Sequence, residues 1–229
     1  MCFSASASFG AGIVLSVVGI ASIKKRKQDL IVFACIPLIF AVQQISEGFL
    51  WLALSNPDFA MLRWPSTYIF LFFAQIVWPF CVPFSMLKLE KDQKRKKIER
   101  ALTGIGAIVS LYLAYCLISY HVDAKIIGMH ISYGLDYPAG LSRYVGLFYI
   151  IATIAPPFFS SVKSMWTLGT AILISYIMTT VFYTDYIVSV WCFFASIISI
   201  AVLAVLFDIK KTSERLTSIG LGKTMLTTK

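Results

Sequence analysis

The chain has 229 residues, of which 59% are hydrophobic and only 14% charged, with a mean hydropathy of +0.81 and a formal net charge of +9. A typical soluble domain is about 25% charged, and here the apolar residues run in blocks of about 20, the length that crosses a bilayer. These features exclude a soluble globular fold, and the absence of any recognition motif beside the basic residues excludes nucleic acid as a partner.

Seven spans are predicted, in an all-α polytopic bundle. The first, residues 5–23, carries Ser8, Gly12 and Ser16 at four-residue spacing, with Gly19 nearby. Small residues in that pattern let helices approach closely, and packing inside the bundle is favoured over dimerisation. The span has no basic leader and no convincing cleavage site, so it is expected to remain as a helix. The second span, 30–54, contains Pro37, Gln43, Gln44 and Glu47. The third, 64–87, contains Gln75, Pro79 and Pro83, and the fourth is 101–120. A connection over 121–140 carries His121, Asp123, His130, Tyr133 and Asp136. It is long for a compact bundle, and loops of that length are often functional lids. The fifth span, 141–160, opens near Arg143 and contains Pro156 and Pro157. The sixth, 165–183, and the seventh, 186–207, are separated by a short turn at Asp185, and the seventh carries Trp191 and Cys192. The prolines are expected to kink or break the second, third and fifth helices. Residues 1–207 form the transmembrane domain and 208–229 a basic cytoplasmic tail.

Orientation follows from the 20 Lys and Arg residues. All but Arg63, Lys125 and Arg143 fall on one side of the seven-span arrangement. The basic side is expected to be cytoplasmic, with the N-terminus outside and the basic loops against anionic lipid headgroups. An odd number of spans agrees with this.

Glu47 is the most informative residue. A carboxylate in a spanning helix costs roughly 2.5–3.5 kcal/mol on insertion scales, and such residues usually face a bundle interior where they have a task. Gln43 and Gln44 precede it by four and three residues, so all three share one helix face. Gln75 falls near the middle of the next span and can join them. The outer ends gather further reactive groups: Cys2, His121, His130, Tyr133, Arg143, Asp185, Trp191 and Cys192.

Three readings stay open. Glu47, His121, His130 and Cys2 can ligate a transition metal such as zinc, and a metal with an open position would support a membrane hydrolase using Glu47 and His130. The Glu47, Gln43, Gln44 and Gln75 cluster can instead hold a small molecule or ion, for transport or sensing. Or it is a structural or partner-binding network without a reaction. The five cysteines imply no disulfide framework. A retinal Schiff base is excluded by the lack of lysine in the seventh span, and a ceramidase-type zinc site by the lack of histidine in the last two.

Met1-Cys2-Phe3-Ser4-Ala5, then Ile36-Pro37-Leu38-Ile39-Phe40, Gln43-Gln44, Glu47 and Trp51, then Trp78-Pro79 and Pro83, His130-Ile131-Ser132-Tyr133, and Trp191-Cys192, run nearly the length of the chain. This set resembles a family of bacterial multi-spanning proteins known as domain of unknown function 6629. The resemblance implies a bacterial protein of the inner membrane. It places Cys2, Gln44, Glu47 and His130 among the family's recognisable positions, and it implies no reaction or substrate.

Overall fold

The computed structural model describes residues 4–24, 28–209 and 211. Cys2 and most of the predicted tail lie outside them. The described chain is a helical bundle closed at one end by a β-hairpin. In order it runs α1 (Ala5–Ile23), a 3₁₀ turn (Gln28–Leu30), α2 (Ile31–Ala34), α3 (Ile36–Ser55), a 3₁₀ segment (Pro57–Leu62) and α4 (Arg63–Leu71). A π-helical stretch (Phe72–Val77) leads into α5 (Trp78–Leu89) and then α6 (Gln93–Ser119). The strands β1 (Val122–Ile127) and β2 (His130–Leu135) follow, then α7 (Ala139–Ile154), α8 (Pro156–Phe159), α9 (Lys163–Phe182) and α10 (Ile187–Ile198). The chain is helical again over 201–209.

Among the described residues, six helical segments are long and apolar enough to cross a membrane: Ala5–Ile23, Gln28–Ser55, Pro57–Leu89, Gln93–Ser119, Lys163–Phe182 and Thr184–Ile209. The fifth predicted span is shorter than expected. α7 has 16 residues, about 24 Å at 1.5 Å per residue, against a hydrocarbon core of about 30 Å. It stops before Pro156-Pro157, where the missing N–H groups end the ladder. Pro37 and Pro79 likewise mark helix starts, whereas Pro83, expected to break its helix, lies inside α5 without ending it. Pro37 sits in the first turn of α3, after the break at Cys35, and Pro79 in the first turn of α5.

The outward faces are apolar. Ile13, Val17 and Ile20 on α1, and Ile108, Leu111 and Ile118 on α6, are all more than half exposed. A soluble monomer rarely shows such continuous apolar patches, whereas a lipid-facing helix does. The inward side of α1 is made of small residues instead. A Cβ at Gly12 would come within 2.6 Å of Ile45, so the close approach of α1 to α3 needs glycine there.

The connection over 121–140 is not an irregular loop. It forms an antiparallel hairpin running from Val122↔Leu135 to Ile127↔His130. Gly128, at φ +61°, opens its two-residue turn, a position where glycine carries no steric cost. Val122, Ala124 and Ile131 are buried against the bundle end, with Leu50 and Trp51 of α3 among their neighbours. Arg63 fastens the hairpin to α4 through Asp123 Oδ1 at 2.5 Å and the Ala124 carbonyl at 3.0 Å. The Tyr133 ring stacks on Phe70 with centroids 5.0 Å apart.

At the other end, Glu90 ties two connections together. Its Oε1 accepts from the N–H groups of Lys91 (2.8 Å) and Asp92 (2.9 Å), and its Oε2 from that of Ser161 (2.7 Å). Arg95 donates to the carbonyls of Phe159 and Ser160 across the same seam. Burial pushes the Glu90 carboxyl up, but the bonds from Asp92, Ser161 and Lys91 outweigh it and hold the group below the usual range.

A depressed folded-state value stabilises the protein above the unfolded glutamate value of about 4.3 and is lost as pH falls through the folded value. The thermal midpoint of the detergent-purified protein should therefore drop on acidification, and Glu90→Gln should flatten that drop. A second expectation concerns the contact of α5 with α6. A Cβ at Gly106 would lie 1.9 Å from the Pro79 carbonyl oxygen, while one at Gly104 meets nothing within 4 Å. Gly106→Ala should cost about 1–3 kcal/mol through forced separation, and Gly104→Ala should be neutral or mildly stabilising. Both are read from thermal midpoints.

Candidate functional site

Gln43 and Gln44 are 0% exposed and Glu47 is 2% exposed, all on the inner face of α3. That face is enclosed by α5, α10 and the hairpin. Ser189, in the first turn of α10, donates its hydroxyl to Glu47 Oε1 at 2.5 Å. Gln44 lies against the same carboxylate. Gln43 Oε1 accepts from the indole N–H of Trp78 at 2.7 Å, and the Trp78 ring stacks on Phe40 at 3.8 Å. Cys192 stands beside Gln43 and Glu47. Tyr133 reaches in from the hairpin toward Glu47 and Cys192. Burial first, then those two neighbours, push the Tyr133 phenol well above its ordinary value. It therefore keeps its proton and stays a hydrogen-bond donor.

Several of these groups have unused hydrogen-bonding capacity. Gln43 Nε2, both Gln44 amide atoms and the Tyr133 hydroxyl are buried without a partner at normal hydrogen-bond length, although Gln44 makes a longer, weaker contact with the Glu47 carboxylate and Gln43 one with the Cys192 thiol. Buried polar atoms are usually paired, and a concentration of exceptions at one place points to a role for water, an ion or a ligand there. On the side of the cluster away from the hairpin lies a cavity of about 70 Å³. Phe40, Trp78, Met86, Tyr149, Trp191 and Cys192 contribute to its walls. A site that holds a water needs roughly 10–15 Å³ on this scale, so there is room for a small occupant. The wall is almost entirely apolar, and it meets the polar cluster only through Trp78 and Cys192, which belong to both.

The widened turn of Phe72–Val77 shapes the far wall. A π turn shifts backbone carbonyls off the regular ladder, and such turns recur at functional sites. Here the Ala74 carbonyl accepts from Tyr149 at 2.5 Å and the Ile76 carbonyl from Ser110 at 2.7 Å. Gln75 sits in this turn, yet it does not join the Glu47 group by a hydrogen bond. Its Oε1 accepts from Tyr137 at 2.8 Å instead, because the turn directs it to the segment after β2.

The expected outer rim divides in two. Arg143 and Asp185 are exposed. Tyr133 and Cys192 turn inward, and Trp191 packs edge-on between Tyr149 and Tyr176. The expected opening at this end is closed, because the hairpin packs across Leu50 and Trp51, just above Glu47 in α3. The expected metal ligands are dispersed. His121 is exposed and meets the Trp64 ring edge-on, while His130 packs against Tyr183 and Tyr186. Among the described residues no three of His, Cys, Asp and Glu gather as a metal site, and Cys2 lies outside them.

Ser189 was not singled out by the sequence, and Trp78 was named only with the residues of the family resemblance, not as a partner of this cluster. Ser189 is one of several serines in its helix, with nothing local to set it apart. Trp78 carried a signal in its neighbour Pro79, which starts a new helical segment and so places the indole at the segment junction. Trp78→Phe keeps the ring stack and removes only the N–H to Gln43. It should cost about 1–3 kcal/mol for the stranded amide oxygen, measured by thermal unfolding.

A family model described as a family of unknown function, DUF6629, matches residues 1–216. No curated protein and no solved structure matches the chain.

Proposed function

We propose, from the premise that the chain belongs to the DUF6629 family, that it is a seven-span protein of a bacterial inner membrane whose Glu47 centre binds a small polar solute or ion for transport or sensing. The observation that carries this reading is the set of amide and hydroxyl groups around one buried carboxylate that lack a partner at normal hydrogen-bond length. A purely structural network would be expected to pair its own members, since each buried unsatisfied group costs about 1–3 kcal/mol. The adjoining cavity gives an occupant space. The closed hairpin end and the buried carboxylate fit a centre reached by opening one side at a time.

The seventh crossing in this reading is α7 with α8, a stretch of 21 residues interrupted at Ala155. Interrupted helices are tolerated where neighbours satisfy the freed backbone groups. The hairpin end carries Arg63, Lys125 and Arg143, and the opposite end carries most of the basic residues. That supports an outer hairpin and a basic face on the anionic cytoplasmic leaflet. Cysteine substituted at Ser55 should then label from outside intact cells and cysteine at Gln93 only after permeabilisation. The reverse pattern would invert the assignment.

The function itself is tested with protons as the probe. Protein reconstituted into liposomes holding a pH-sensitive dye should speed decay of an imposed proton gradient. Glu47→Gln should slow that decay at least about tenfold, as expected when the buried carboxylate of a pathway is neutralised. Gln keeps an oxygen acceptor for Ser189, so the fold is retained. Equal rates for the two proteins, both well folded, would return the cluster to a structural role.

A further inference from the structure

The seam between the α5–α6 and α8–α9 connections holds a second buried carboxylate, at the end opposite the hairpin. Glu99, in the second turn of α6, is 0% exposed. Neither of its carboxylate oxygens has a hydrogen-bond partner. The charged group acting on it is Glu90, itself 2% exposed and held in its ionised form by three N–H donors. Two like charges facing each other away from water repel strongly.

The cations among the described residues do not answer them. Lys88, Lys91, Lys94, Lys96, Lys97 and Arg100 surround the seam in sequence, yet among the described residues the ion pair is Arg63 with Asp123. Arg95, one turn before Glu99, directs its guanidinium at the Phe159 and Ser160 carbonyls. Protonating Glu99 would remove its charge, but its oxygens would still face no hydrogen-bond donor. Two buried carboxylates that repel each other are suited to a cation between them. A hard cation keeps each oxygen at about 2.3–2.6 Å and fills its shell with backbone carbonyls and water. The lack of a third His, Cys, Asp or Glu ligand among the described residues disfavours a transition metal and leaves an all-oxygen set. Two carboxylates match a double positive charge.

We propose that Glu90 and Glu99 bind a hard divalent cation, calcium or magnesium, which clamps the α5–α6 connection to the α8–α9 connection. The full-length protein in detergent, stripped with chelator, is the sample for the test. Its thermal midpoint is followed against CaCl₂ and MgCl₂, with choline chloride holding ionic strength constant. One of the two divalent salts should raise the midpoint by several degrees in a saturable way, as a ligand of the folded state does. NaCl and KCl should not, and Glu99→Gln should abolish the shift. A wild-type midpoint indifferent to both salts, a shift that survives Glu99→Gln, or an equal response to NaCl would overturn the proposal. If Glu99→Gln fails to fold, the wild type alone decides. A hydrophobic carbodiimide should modify Glu99 in the stripped protein and be blocked by the divalent salt, as read by peptide mass spectrometry. Modification unaffected by the salt would overturn it equally.

Discussion

Helix α3 carries one carboxylate and two amides on one face, in a segment whose other residues are mostly apolar. Leaving Gln43, Gln44 and Glu47 in contact with lipid would cost several kcal/mol, so the helix must be surrounded on that face. The rest of the bundle is arranged around that need. α1 approaches closely through Gly12, α10 supplies Ser189, α5 supplies Trp78, and the hairpin closes the end above Leu50. An all-apolar α3 would not require this enclosure, and the bundle would lose the reason for its central helix.

The breaks in the helices serve the same centre. Proline removes a backbone donor, and in a dry interior the freed carbonyls need other partners. Around the Phe72–Val77 turn those partners are Tyr149 and Ser110, hydroxyls brought from α7 and α6. The turn thus stitches three helices together while widening the wall near Trp78 and Tyr149, where the cavity lies. At the opposite end, Glu90 and Arg95 do by side chain what the hairpin does by backbone pairing, holding two connections in register.

The cavity and the polar cluster share Trp78 and Cys192 at their boundary. An occupant of the cavity would meet the Trp78 indole and the Cys192 thiol on the side of the cluster and aliphatic and aromatic walls elsewhere. Pockets with many apolar walls and a few convergent polar groups are the usual form of a small-molecule site. That division is a property of the assembled bundle, because the walls come from α2, α3, α5, α7, α9 and α10.

Much of the protein was legible in its sequence because the bilayer imposes a simple length rule. Blocks of about 20 apolar residues mark spanning segments, prolines mark breaks, and an acid with two amides on one helix face must turn inward. The identification of α3 as the polar helix, and the inward packing of the small residues of α1, follow from those local patterns. The hairpin was also encoded, in the alternation of Val122, Asp123, Ala124 and Lys125 and in the Gly128 turn, but its place among long apolar helices hid it. Other features belong to the tertiary structure alone. Which serine meets Glu47, whether Gln75 joins it, and whether Trp191 and Cys192 form a rim or a wall all depend on helix rotation and depth. A local pattern constrains a helix to face inward, but it does not state what stands opposite. The same holds for His121 and His130, which the sequence places at one end and the hairpin register separates. Contacts between distant segments are decided by packing, and a single chain of letters does not carry that geometry at any one position.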